Sequence, residues 1–164
     1  MEDNGEALAI DSRKRTDAEI YSDHAVALVQ FATVLVGPAD AQDVVSSAVL
    51  RSLGNPGWSQ VQNHRSYLHQ AVANEARNLY RSESRRRRRE VRMSEPVLIY
   101  LPELRPDVQR AVEKLSVRQR AVVYLTYWED MTDQMAADYL GISAGSVRRH
   151  LARARDHLRK ALYD

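Results

Sequence analysis

The sequence predicts an all-α protein of two small helical domains, three helices and then four, joined by a flexible linker. Apolar residues recur at three- and four-residue spacing in most segments. Ala, Leu, Arg and Val are abundant beside one phenylalanine, two tryptophans and six glycines, a composition that favours helix over sheet. At 164 residues and 44% apolar, the chain can bury one core or two small ones.

Residues 1–16 are polar and charged with little periodicity and read as a mobile tail. From Asp17, a first helix places Ala25, Leu28, Val29, Ala32 and Leu35 on one face until Gly37 and Pro38 stop it. A second helix is expected over Ala39 to Leu53, burying Ala41, Val44, Val45, Ala48 and Val49. Its Asp40 and Asp43 stand in the first turn, where the helix dipole favours acids. Gly54, Asn55, Pro56 and Gly57 break the chain, and an irregular segment follows from Trp58 to about Asn63. The third helix carries Tyr67, Leu68, Ala71, Val72 and Leu79 and runs into SESRRRRRE, which keeps helical propensity but has no apolar stripe. These three helices share an apolar face and define a domain over residues 17–92.

Residues 93–106, MSEPVLIYLPELRP, contain three prolines and no sustained period, as a linker does. The apolar cluster Val97 to Leu101 either docks on a partner or packs transiently on a domain. Fully extended, Ser82 to Arg105 reaches about 80 Å at about 3.4 Å per residue, more than two turns of duplex DNA at about 34 Å each. Two domains so tethered can touch separate DNA segments.

The second domain is expected over residues 107–164. Val108, Ala111, Val112 and Leu115 make one short helix; Ala121, Val122, Leu125 and Trp128 make another, capped by Ser116. Thr132 caps a third helix with Met135, Ala136, Tyr139 and Leu140 on its apolar face, and Gly141 supplies the left-handed residue that ends it. Ser143 caps the last helix, where Val147, Leu151, Ala154, Leu158 and Leu162 form an apolar stripe while Arg148, Arg149, Ala152 and Arg153 lie mostly off it. Two compact helices around a short turn read as a helix-turn-helix whose second helix offers arginines to the DNA major groove. A helical hairpin with a solvated arginine face has the same periodicity, so the remainder of the chain has to distinguish them.

The net charge of +2 conceals an asymmetry. Residues 1–50 hold nine acids against three bases, residues 81–92 seven arginines against two glutamates, and residues 148–160 six bases against one aspartate. Two separated basic blocks suggest two polyanion contacts, and the acidic third suggests a separate surface for a basic or mixed partner. The absence of cysteine excludes disulfides and thiolate metal sites. His24, His64, His69, His150 and His157 do not fall at the spacing that puts two ligands on one helical face, so no metal is expected. No apolar run approaches 18 residues and no signal-peptide pattern opens the chain, which leads us to expect a cytoplasmic protein. A glycine-rich phosphate loop and a nucleophile constellation are both missing, so neither enzymatic activity nor a cofactor is expected.

The order of these features resembles the extracytoplasmic-function (ECF) group of bacterial RNA polymerase sigma factors, in their two-domain form. The resemblance spans about Tyr21 to Leu162. It is strongest from LSVRQRAVVYLTYWED to the end, which is similar to the family's region four, above all in GISAGSVRRHLARAR. In the first half, ADAQDVVSSAVLRSL resembles region 2.2, and RSYLHQAVANEARNLYR resembles regions 2.3 and 2.4. The resemblance implies partners: core RNA polymerase, met through the β′ clamp helices and the β flap; promoter DNA; and a silencing anti-sigma factor, for which the apolar linker cluster is a docking place.

It also implies site residues. Asn74 and Asn78, one helical turn apart and able to contact base edges bidentately, would read the minus-ten element together with Arg77 and Arg81. The irregular segment Asn55 to Asn63 corresponds to the family's base-capturing loop, expected to be a mobile wall. Ser146, Arg148, Arg149, Ala152, Arg153 and Arg155 match the helix that meets the minus-thirty-five element, with Arg155 either bracing the fold or contacting backbone. Ser46, Ser47 and Val49 replace the Gln, acid and Phe frequent after the region 2.2 aspartate, and Tyr67 a frequent Trp. Placed on the surface expected to meet β′, these departures leave Asp40, Gln42 and Asp43 as its polar candidates. In region four, Gln134 stands for a frequent Glu and Ser116 for a frequent Pro. The alternative is a helix-turn-helix regulator that acts without polymerase.

Overall fold

The computed structural model describes residues 15–89 and 105–163, with side chains of 84–89 excepted. The order is α1 (Asp17–Val36), α2 (Pro38–Leu53), a 3-10 turn (Trp58–Gln60), α3 (His64–Arg89), α4 (Pro106–Glu113), α5 (Val117–Tyr127), α6 (Asp133–Leu140) and α7 (Ala144–Tyr163). The described residues are thus all-α, as the periodicity predicts. Most of the expected tail, and the linker up to residue 104 with its Val97 to Leu101 cluster, lie outside the described residues; Pro106, expected in the linker, is the first residue of α4.

Local chemistry sets the helix ends. Thr16 opens α1 with a capping box: its hydroxyl accepts from the Glu19 N–H at 3.3 Å, and the Glu19 carboxylate accepts from the Thr16 N–H at 2.7 Å. The Thr16 N–H and the Thr16 hydroxyl, which donates to the same carboxylate at 2.9 Å, hold the Glu19 carboxyl below its ordinary pKa. The cap of α1 therefore falls inside the expected tail, at Thr16. Gly37, at φ 85°, donates to the Thr33 carbonyl at 2.9 Å and accepts from the Ala41 N–H at 3.2 Å, so one residue ends α1 and starts α2. Ser116 and Gln119 repeat the capping box on α5. Thr132 caps α6 through the Met135 N–H at 3.2 Å, and Gly141 closes it in the left-handed conformation at φ 62°. The Ser143 hydroxyl accepts from the Ser146 N–H at 3.1 Å and starts α7.

Two expected packing residues are exposed instead: Met135 at 52% and Trp128 at 44%. Each sits at the end of a short helix whose buried face is already filled, by Ala136, Ala137, Tyr139 and Leu140 in α6 and by Ala121, Val122 and Leu125 in α5. The segment after Gly57 is also more ordered than expected. Trp58 is buried at the head of the 3-10 turn, donates from Nε1 to the Asp17 carboxylate at 2.8 Å, and meets the His64 and Tyr67 rings edge-on at 4.7 and 5.8 Å. One wall of the expected base-capturing loop is thereby anchored to the start of α1.

The two helical groups are not apart. Leu28, Phe31 and Leu35 of α1, Leu68 and Val72 of α3, and Val122, Leu125 and Leu140 of the second group belong to one continuous core. At its centre Phe31 meets His69 at 5.3 Å and Tyr124 at 5.8 Å, and His69 meets Tyr139 at 4.7 Å. The seam is polar at one margin. Arg65 donates to the Tyr139 hydroxyl at 3.0 Å and to Glu129 at 3.3 Å, and the Ser66 hydroxyl donates to the Asp138 carbonyl at 3.3 Å. Sequence spacing predicts each group; it contains no signal for this docking, which depends on side chains more than sixty residues apart.

Candidate nucleic-acid interface

On α7, Val147, Leu151 and Ala154 are buried and Leu158 half-buried, which turns Arg149, Ala152 and Arg153 outward. Among the described residues, neither Arg149 nor Arg153 has an ion-pair partner. Arg148 is also exposed but lies 3.6 Å from Asp133 at the start of α6, an engagement screened by solvent. Arg155 donates from Nε to the Tyr127 hydroxyl at 2.8 Å, with its guanidinium 5.8 Å from the centre of that ring. It braces α7 on α5 in this structure. Ser146 is half-buried, with its hydroxyl 3.0 Å from that of Ser143. The arrangement presents two unpaired guanidinium groups and a small Ala152 along one rigid face, which suits a polyanion.

On α3 the four minus-ten candidates divide. Asn74 and Asn78 are exposed and border grooves between α2 and α3: Asn74 beside Arg51, Asn55 and Tyr67, Asn78 beside Asp40, Asp43 and Ser47. Arg81 is exposed. Arg77 is half-buried in the seam, where it, Asn74 and Arg118 of α5 line one groove floored by Ala73, Val117, Ala121, Leu140 and Ile142. Desolvation there, with the charges of Arg118 and Arg81, pushes the Arg77 pKa down. His150 of α7 is likewise lowered, first by desolvation and then by Arg118, Arg153, Arg149 and Arg77. Thus docking brings cations of both basic surfaces within electrostatic reach of each other.

The expected polymerase surface also divides. Gln42 and Asp43 are exposed and Asp40 half-buried on α2, with Ser46 and Ser47 exposed nearby. Val49 belongs to the core at 8% exposure, so its departure from the family pattern changes packing rather than the contact surface expected for it. Leu50 beside it is 71% exposed. Sequence reasoning missed Arg65, Arg118 and Arg120, and the contacts of the buried Tyr139 across the seam, because a helical charge or aromatic gives no sign of facing another domain.

The chain is similar to known proteins. Residues 105–158 match the family described as Sigma-70, region 4. The RNA polymerase sigma-E factor of Streptomyces coelicolor is 30% identical over 96% of this chain and 88% of its own length. The chain belongs to the ECF RNA polymerase sigma factors. The ECF sigma factor EcfG of Rhodopseudomonas palustris is 30% identical over 81% of this chain and 77% of its own. Sigma factor RpoE from Bartonella quintana, solved in complex with the anti-sigma factor NepR, has a similar fold, with a TM-score of 0.66 at 21% identity over 86% of this chain and 94% of that one.

As a sigma factor the protein binds core RNA polymerase and directs promoter-specific initiation. Elements named for positions minus ten and minus thirty-five are about 25 base pairs, or roughly 85 Å, apart at about 3.4 Å per pair. The docked halves place Arg77 and His150 in mutual electrostatic reach, far closer than that separation.

Proposed function

We propose that residues 17–92 form sigma region two and residues 107–164 region four, connected by residues 93–106, and that the two act as the ends of a promoter clamp. Asp40, Gln42 and Asp43 on α2 meet the β′ clamp helices, and region four meets the β flap. Asn74, Asn78, Arg77 and Arg81 read and help melt the minus-ten element. Ser146, Arg148, Arg149, Ala152 and Arg153 contact the minus-thirty-five element, with Arg155 fixing the pose of α7 from behind. The observation that carries this reading is the outward, unpaired pair Arg149 and Arg153 on a helix whose opposite stripe is buried.

The chain supplies binding and positioning; bond formation belongs to polymerase. Each contact is weak alone, and the polymerase scaffold raises the effective concentration of one for the other. The protein works in the cytoplasm, where polymerase and promoter are; no helix among the described residues is long and apolar enough to cross a membrane. An anti-sigma factor is its negative regulator, a reading supported by the RpoE–NepR complex of similar fold. A polymerase-independent regulator is disfavoured because similarity to sigma factors extends through the half that a bare helix-turn-helix does not need.

The test is reconstituted transcription. Core polymerase plus this protein should start transcripts at a promoter selected from a random library that core alone ignores. Binding of that promoter by the protein with no gain in initiation would refute the assignment.

A further inference from the structure

Arg120 of α5 is buried to 1% exposure, and its Nε and Nη1 have no hydrogen-bond partner. Its guanidinium lies 5.0 Å from the centre of the Tyr80 ring on α3, and the Tyr80 hydroxyl is likewise buried without a partner. The guanidinium thus meets the ring, not the hydroxyl, of Tyr80 across the seam between the halves. One turn back along α3, Arg77 shares its groove with Arg118. No acid stands in α5, and Glu75 of α3 is held by Arg51 at 2.7 Å. Among the described residues, the seam is therefore hydrogen-bonded at the Arg65–Tyr139 margin, whereas at the Arg120–Tyr80 margin Arg120 keeps two buried N–H groups without a partner.

An aromatic face attracts a guanidinium, but that attraction is small against the cost of removing a cation from water with part of its hydrogen-bonding capacity unmet. Tyr80 covers Arg120 only while the halves are docked; once they part, water reaches both orphaned groups. We propose that Arg120 is a built-in opening device, a dehydrated cation that keeps the docked form close in free energy to the open one. Core polymerase then needs only modest preference for the open form to select it. The opening itself does not depend on the sigma-factor assignment; only its consequence for transcription does.

The chain contains no cysteine, so dyes on cysteines introduced at the exposed positions Ser46 of α2 and Ala161 of α7 report separation of the halves by energy transfer in the full chain. Arg120→Met, which keeps length without charge, should raise the docked-to-open ratio about tenfold, equivalent to about 1.4 kcal/mol. Arg120→Lys, which keeps the charge, should leave it within about twofold. Transcription with core polymerase should require more of the Arg120→Met protein and no more of the Arg120→Lys protein. An unchanged or lower ratio for Arg120→Met would show that the ring contact holds the halves together, and equal gains for both variants would assign the effect to shape; either overturns the proposal. Tyr80→Phe removes the orphaned hydroxyl while retaining the ring and provides a second measurement if Arg120→Met does not fold. Its docked ratio should rise about threefold, and no rise counts against the device.

Discussion

Acid should open the docked form through His69. This imidazole is 4% exposed between Phe31 and Tyr139, and its Nδ1–H donates to the Arg65 carbonyl at 2.8 Å. Burial pushes its pKa from 6.5 down to about 4, opposed by that hydrogen bond and assisted by the charges of Arg65 and His24. Because the docked pKa is the lower one, the open form takes the proton first. The contribution to docking is complete above pH 6.5 and is lost as pH falls towards 4. With these two values, docking weakens by about 2 kcal/mol between pH 7.5 and pH 5, an upper figure because an opened His69 still touches Phe31. Titrating the energy-transfer pair should show an opening near pH 5 to 6, before helix content is lost. His24 on α1 is itself held below its ordinary value, mainly by burial, so some response should survive in His69→Phe, which keeps the ring contact. If His69→Phe opens with the same pH profile as the parent, His69 is not the titrating group and the reasoning fails.

Three further outcomes are expected. Arg149→Ala should cost roughly 1 to 3 kcal/mol on the cognate upstream element in holoenzyme binding; an equal loss on scrambled DNA would restrict it to phosphate contact. Gly141→Ala should lower stability by about 1 to 2 kcal/mol in denaturant titration, because φ is 62° and the added Cβ would lie 1.5 Å from the Gln70 Nε2 atom. Gln70 is flexible and can move, so the backbone sets most of that cost, and a neutral result would contradict the left-handed cap. Asp43→Lys, on the exposed face of α2, should weaken binding to core polymerase about tenfold or more in a competition assay while the thermal midpoint stays within a few degrees.

The residues that sequence reading placed well are those governed by neighbours within one or two helical turns. Thr132, Ser116 and Ser143 cap because a short hydroxyl can accept from the N–H groups that open a helix. Gly141 ends α6 because a side chain disfavours its φ. The stripe Val147, Leu151, Ala154 fixes which face of α7 is buried, and so which arginines point outward. The same logic fails at Met135, in the first turn of α6, and at Trp128, the C-cap of α5, whose spacing fits an apolar face but which stay exposed at the helix termini.

What the sequence determines by itself is the helices, their ends, the outward basic face of α7 and membership of the sigma-factor family, since each rests on local spacing or on a long run of similar residues. Only the tertiary structure decides that the halves dock, that Arg77 turns into the seam while Asn78 borders α2 and Asn74 lies between the two grooves, that Val49 is core, and that Arg120 loses its water beneath Tyr80. The physical reason is range: a cap or a stripe is settled by hydrogen bonds and packing inside one helix, whereas the seam brings together groups as far apart in the chain as Arg65 and Tyr139, and no periodicity records what a distant side chain will cover.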